Sequence, residues 1–197
     1  AFTAGDSMLV FVGLPWEYNN KLYNVAAAIQ DGKLLGLVPK RWIPNYSEFY
    51  EGRYFNPGWE KTIDVSWDGY QVPMGMKLLF SCDNVENLVV GAEICEDVWV
   101  LNPPSIAHAS AGATVIVNCS ASDEVTGKSE YRRSLISGQS ARLLCAYIYA
   151  NAGEGESSQD LVFGGQNIIA ENGNILSESA RFENQTIYAD IDLERLE

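Results

Sequence analysis

Val89-Val90-Gly91-Ala92-Glu93-Ile94-Cys95-Glu96-Asp97-Val98-Trp99 is an apolar run that ends on a cysteine and turns acidic at once. A short apolar run rich in β-branched residues reads as a buried strand, here placed at 88–94. Downstream the pattern alternates. Residues 103–112 read as a short helix opened by proline, 114–119 (TVIVNC) as a buried strand, 130–144 as a helix and 146–151 (AYIYAN) as another strand. Segments 161–170 and 174–177 are predicted to pair across Glu171-Asn172-Gly173. Upstream, 8–14 (MLVFVGL) and 78–80 read as strands, and 41–60 is irregular and aromatic-rich. Residues 23–28 and 33–39 flank Gln30-Asp31-Gly32-Lys33, a hairpin signal. Near-continuous apolar strands imply a sheet covered on both faces, so the class is α/β. No linker, repeat or low-complexity tract divides the chain, and it reads as one structural unit.

Composition narrows the function. The 197 residues carry 26 acidic and 13 basic side chains, a formal net charge of −13. Such a surface repels phosphate backbones and argues against nucleic acid or a polyanionic partner. Cys82, Cys95, Cys119 and Cys145 form no CxxC pair, and His108 is the only histidine, so no metal site is expected. Reduced thiols in a cytoplasmic protein are the simpler reading. No apolar run suits a membrane span, and no signal peptide opens the chain. The first residue is alanine, which suggests an excised fragment.

Two residues draw attention. Cys95 closes a strand, and the carboxyl end of a strand is where α/β proteins place their sites. A small buried core residue is the other reading of the same position. Lys40 ends the apolar strand 34–39, where a solvated lysine is easily accommodated. If it lies beside Cys95, its charge favours the thiolate and stabilises an oxyanion.

Four strings in this order and spacing resemble the nitrilase superfamily of amide and nitrile hydrolases. They are Val38-Pro39-Lys40, Pro44-Asn45-Tyr46-Ser47-Glu48-Phe49-Tyr50-Glu51, Tyr54-Phe55-Asn56-Pro57-Gly58 and Glu93-Ile94-Cys95-Glu96-Asp97-Val98-Trp99. Asn118-Cys119-Ser120-Ala121-Ser122 and the stretch from Ala150 to Asp160 narrow the likeness to the glutaminase domain of glutamine-dependent NAD synthetases. The resemblance covers nearly the whole chain from about residue 8. It implies an α-β-β-α sandwich, incomplete at its N-terminus, with residues 1–197 as a partial glutaminase domain. The synthetase domain, which uses ATP and Mg, lies outside the chain, and no cofactor is expected in this domain.

The same resemblance assigns roles. Cys95 attacks the side-chain amide of L-glutamine to form a thioester, Lys40 polarises the amide, and Glu51 holds the lysine. Tyr46, Ser122 and Lys128 fall where this branch recognises glutamine. Where relatives carry arginine this chain has Lys128, so bidentate carboxylate pairing is lost. A homo-oligomer is implied as well. A stand-alone nitrilase-type amidase or carbamoylase, and an inert assembly fragment, are the rival readings.

One departure stands out. The family's general-base glutamate precedes the lysine by several tens of residues, in a segment that would lie before Ala1. Asp6, Glu17 and Asp31 are the acids before Lys40, and none matches its context. General-base catalysis typically contributes about 10²–10⁴-fold, so this chain is expected to be weakly active or inactive. An exposed sheet edge is expected for the same reason.

Overall fold

The computed structural model describes residues 3–156 and 160–196. They form two compact units, Ala1–Leu78 with Ala92–Pro104, and Leu79–Gly91 with Ser105–Glu197.

The first unit is built on a five-stranded sheet in the order β1-β2-β3-β5-β4. Its strands are β1 (Val10–Tyr18), β2 (Lys21–Gln30), β3 (Lys33–Pro39), β4 (Ile63–Trp67) and β5 (Tyr70–Met74). Tight turns join the antiparallel neighbours. Asp31 and Gly32 have φ of 47° and 71°, and Asn19–Asn20 and Asp68–Gly69 repeat that pair of positive values. Two left-handed residues match the right-handed twist of the flanking strands, which is why Asn, Asp and Gly occupy these corners. The 31–32 hairpin follows the sequence reading. The other two hairpins were not expected from the sequence, although Asp68-Gly69 between alternating residues carries the same signal.

β1 continues through Pro15 to Tyr18, past the expected end at residue 14. Proline lacks the N–H that a central strand needs, but β1 is an edge strand, where the donor is dispensable. Tyr23, Val25, Ala27, Leu37, Val65, Val72 and Met74 bury one face of the sheet. Beside them an apolar groove of about 500 Å³ runs past Val12, Leu14, Trp16, Ile29 and Trp67. Period two sends Asn24, Ala26 and Ala28 to the opposite face. Ala26 pairs with Val38, so Asn24 stands across from Lys40, whose N–H donates to the Asn24 carbonyl at 2.8 Å.

The second unit uses a six-stranded sheet in the order β11-β10-β9-β8-β7-β6. These strands are β6 (Leu79–Ser81), β7 (Val89–Ile94), β8 (Val115–Ser120), β9 (Ala146–Asn151), β10 (Ile168–Glu171) and β11 (Asn174–Glu178). The parallel pair β8–β9 is bridged by helix α2 (Lys128–Leu143), which packs on β9, β10 and β11. α2 starts two residues before its predicted position and ends on Leu144 in a left-handed cap, φ 50°. Helix α1 (Pro104–Ser110) opens on Pro104, one residue after the proline expected to start it, and ends two residues early.

The predicted strand 161–170 shrinks to Ile168–Glu171. Gly164-Gly165, the latter at φ 66°, breaks the pattern ahead of it. Among the described residues no helix is long and apolar enough to cross a membrane.

Candidate active site

Lys40 follows the last residue of β3 and is only 2% exposed. Its backbone is clamped from two sides. The N–H bonds to Asn24, and the carbonyl accepts from Gly58 N–H at 2.7 Å. A Cβ on Gly58 would sit 2.9 Å from the Pro39 carbonyl oxygen, so only glycine permits this approach. Glu51 starts a short 3-10 turn (Glu51–Arg53). It meets the lysine with Oε2 at 2.5 Å from Nζ, and its Oε1 accepts from Asn24 Nδ2 at 2.7 Å. The buried ammonium therefore has its counter-ion, and that counter-ion is fixed in turn by Asn24.

β7 delivers Cys95 into a sharp reversal. Ile94 is extended at φ −128° and ψ 119°, whereas Cys95 has φ 44° and opens the 3-10 turn Cys95–Val98. A left-handed, non-glycine residue at a strand-to-helix corner presents its side chain outward at a cost of about 1–3 kcal/mol. Strain of this kind persists where position matters more than stability. Cysteine gains nothing from φ above zero, so Cys95→Gly is expected to be more stable than Cys95→Ala by about 1–2 kcal/mol. Denaturant midpoints of the two variants measure this, and an alanine variant at least as stable would count against strain at Cys95.

Asp97 closes the turn. It is 1% exposed and accepts backbone N–H groups from both sides of the site. Oδ1 takes Trp42 at 2.7 Å and Arg41 at 3.1 Å, and Oδ2 takes Ile94 at 3.1 Å. The residues just after Lys40 are thereby tied to the residue just before Cys95. Tyr46 adds a further link, its hydroxyl lying 3.0 Å from each carboxylate oxygen of Glu96. Partial burial of that hydroxyl, then its bond to Glu96, raises its pKa and keeps the phenol a donor.

Ser122 and Lys128 belong to the second unit. Ser122 is 2% exposed, its backbone pinned on both sides by the Asn151 side chain. Its hydroxyl accepts from Arg132 NH2 at 3.2 Å. The Lys128 ammonium pairs with the Asp123 carboxylate. Arg132 is fully buried and also holds the Asp123 carbonyl at 2.9 Å, Glu124 at 2.5 Å and the Gln166 side-chain oxygen. The remaining thiols are poor rivals to Cys95. Cys145 is completely buried, burial pushes Cys119 up to about 11, and Cys82 Sγ contacts Asn84 Oδ1 at 3.0 Å. His108 packs against Gly91, where a Cβ would fall 2.9 Å from its ring.

The family model for carbon-nitrogen hydrolases matches residues 3–197. The chain belongs to the carbon-nitrogen hydrolase family. Among curated relatives, a glutamine-dependent NAD(+) synthetase of Mycobacterium bovis is 44% identical over 190 residues, covering 95% of this chain and 28% of that protein. The chain thus spans little more than a quarter of that relative's length.

The solved structure of a glutamine-dependent NAD(+) synthetase from Cytophaga hutchinsonii superposes with a TM-score of 0.77 at 30% identity. It covers 88% of this chain and 28% of the other. A carbon-nitrogen hydrolase from Helicobacter pylori shares the fold, with a TM-score of 0.76 at 19% identity, over 96% of this chain and 64% of its own. The mixed α/β fold is therefore nitrilase-like.

Sequence reasoning singled out Lys40, Glu51, Tyr46 and Cys95, and all four lie in the first unit. It passed over Asn24 and Asp97, the groups that hold them. Asn24 did leave a signal, as a polar residue inside the apolar run Leu22-Tyr23-Asn24-Val25-Ala26-Ala27-Ala28. Arg132, which bonds Ser122, left none that separates it from surface residues, and Asn151 lay within the motif stretch 150–160 without being given a role.

Proposed function

We propose that this carbon-nitrogen hydrolase domain is the glutamine-hydrolysing part of a glutamine-dependent NAD synthetase. The observation that supports it best is the buried Lys40–Glu51 pair, fastened through Arg41, Trp42 and Asp97 to the turn that carries Cys95. A cation brought within reach of a strained thiol would favour the thiolate and the oxyanion that follows attack.

Cys95 Sγ attacks the side-chain amide carbon of glutamine. Lys40 and the N–H that follows Cys95 share the developing oxyanion. The C–N bond breaks, the nitrogen takes the proton given up by the thiol, and ammonia leaves. Water then hydrolyses the thioester, releasing glutamate and returning the thiol. Glu51 holds the lysine in place and does not itself touch the reacting atoms.

Tyr46, Ser122 and Lys128 are each carried over from the family likeness as candidates to recognise the substrate's polar ends, and at Lys128 a substrate carboxylate would compete with Asp123. The ammonia is consumed by a synthetase domain outside these residues, where ATP and Mg act, in a homo-oligomeric, cytoplasmic enzyme. Turnover by the 197-residue chain alone is slow. Asp31 accepts a backbone N–H from Gly5, Asp6 one from Met8, and Glu17 is exposed on β1, and none of the three is assigned as the base for Cys95.

Calorimetric titration of the Cys95→Ser protein tests the substrate. Saturable heat with L-glutamine, and none with propionamide at equal concentration, is the expected result. Equal binding of both would point to a general amidase, and binding of neither to an inert fragment.

A further inference from the structure

We infer that Asp97 is a positioning residue that governs the reactivity of Cys95, because its carboxylate fastens the backbone after Lys40 to the backbone before Cys95. The inference rests on the roles proposed for Cys95 and Lys40.

The geometry is that of a three-amide clasp. Trp42 and Arg41 donate to Oδ1, Ile94 donates to Oδ2, and Arg41 reaches Oδ2 as well at 3.3 Å. Each donor is a backbone N–H one or two positions from a residue of the proposed chemistry. A side chain could be removed without moving Lys40 or Cys95, but these amides belong to the chain that places them. Both oxygens must accept for the clasp to hold, so it exists in full only when the carboxyl is ionised.

Ionisation is costly at this position. Burial dominates and pushes the carboxyl up to about 7, the backbone N–H of Trp42 and Ile94 pull it down, Glu93 on β7 pushes it further up and Lys40 pulls it down. Glu93 is 1% exposed and Lys40 2%, so both act across a dry interior. Below pH 7 a proton enters the clasp. It goes to Oδ2, whose accepted bonds are the longer ones, and there it faces the Ile94 N–H donor to donor. The Ile94 amide is released, and with it the residue that sets the Cys95 corner. Asp97→Asn places an NH2 in the same spot and mimics the protonated state at every pH.

Stability moves the other way. A carboxyl whose folded pKa lies above its ordinary value of 3.8 contributes stability that is fully present below 3.8 and lost as pH rises through about 7. The wild-type chain should therefore lose Tm relative to Asp97→Asn as pH rises through that range. Reactivity and stability trade against each other at one side chain.

The test is the rate at which iodoacetamide alkylates Cys95, followed by mass spectrometry of its peptide across pH 5 to 9, without glutamine. In the wild type, log rate should fall more steeply than one per pH unit below about 7, since the thiol and Asp97 both take up protons. Asp97→Asn should show a single ionisation and react about 10²-fold more slowly well above pH 7, the scale of a small misplacement of reacting groups.

An Asn variant that matches the wild-type rate at every pH would overturn the inference. So would one slowed by a constant factor with an unchanged profile, because that is what loss of packing alone produces. Should the variant fail to fold, the wild-type profile decides by itself, and a unit slope throughout would sink the proposal. Glutamine takes no part in this readout, so a failure of glutamine to bind would remove the substrate reading and leave the pH profile standing.

Discussion

Lys40→Met is expected to slow acylation of Cys95 by about 10²–10³-fold, the usual loss when one oxyanion donor is removed. Methionine keeps the length and apolar stem of lysine, so the packing around a 2%-exposed residue survives. What disappears is the charge proposed to favour the thiolate and to receive the amide oxygen. Glu51 keeps its bond to Asn24 and is 17% exposed, so its unpaired carboxylate retains some access to water. The variant should therefore remain folded while its thiol loses reactivity. Single-turnover acylation of Cys95 by L-glutamine, measured alongside a thermal melt, separates the two effects. An unchanged rate in a folded Lys40→Met protein would remove Lys40 from the chemistry.

Glu51→Gln should hurt stability more than Lys40→Met does. It leaves an ammonium buried without its counter-ion, and breaking a buried pair from one side typically costs about 3–5 kcal/mol. Reactivity falls as well, because a lysine released from Glu51 is no longer held in the position proposed for it. The double variant Lys40→Met with Glu51→Gln removes both charges and should recover most of the lost stability while staying unreactive. Urea midpoints of the four proteins check this. Additive losses in the double variant would mean that the short contact between Lys40 and Glu51 carries little coupling.

Much of this arrangement was legible in the sequence because strands announce themselves by apolar runs and turns by their corner residues. Asp31-Gly32, the strand ending at Ile94 and the two strands that flank α2 all followed from such local signals. The reading stopped short at Pro15 because proline is penalised in a central strand, and whether a strand is central or at an edge is decided by partners far away in sequence. It overran at 161–167 because apolar content there outweighed two adjacent glycines.

Within the site, the residues proposed to do chemistry were singled out through the order and spacing of motifs, whereas the residues that hold them were not. Asp97 stands two places after Cys95 and reads as one more acid in an acidic chain. Its work depends on amides 55 and 56 positions away, which no local pattern encodes. Lys40 likewise reads as a surface lysine until Asn24 and Glu51, 27 positions apart, are brought to it by the β2–β3 ladder and the 51–53 turn.

The most direct test is labelling of the intact chain with a glutamine-mimicking electrophile, with and without free L-glutamine, followed by peptide mapping. A single adduct on Cys95, suppressed by glutamine, is expected if the strained thiol is the nucleophile of a glutaminase. Adducts spread over Cys82 and other thiols, or an adduct on Cys95 that glutamine fails to suppress, would contradict it.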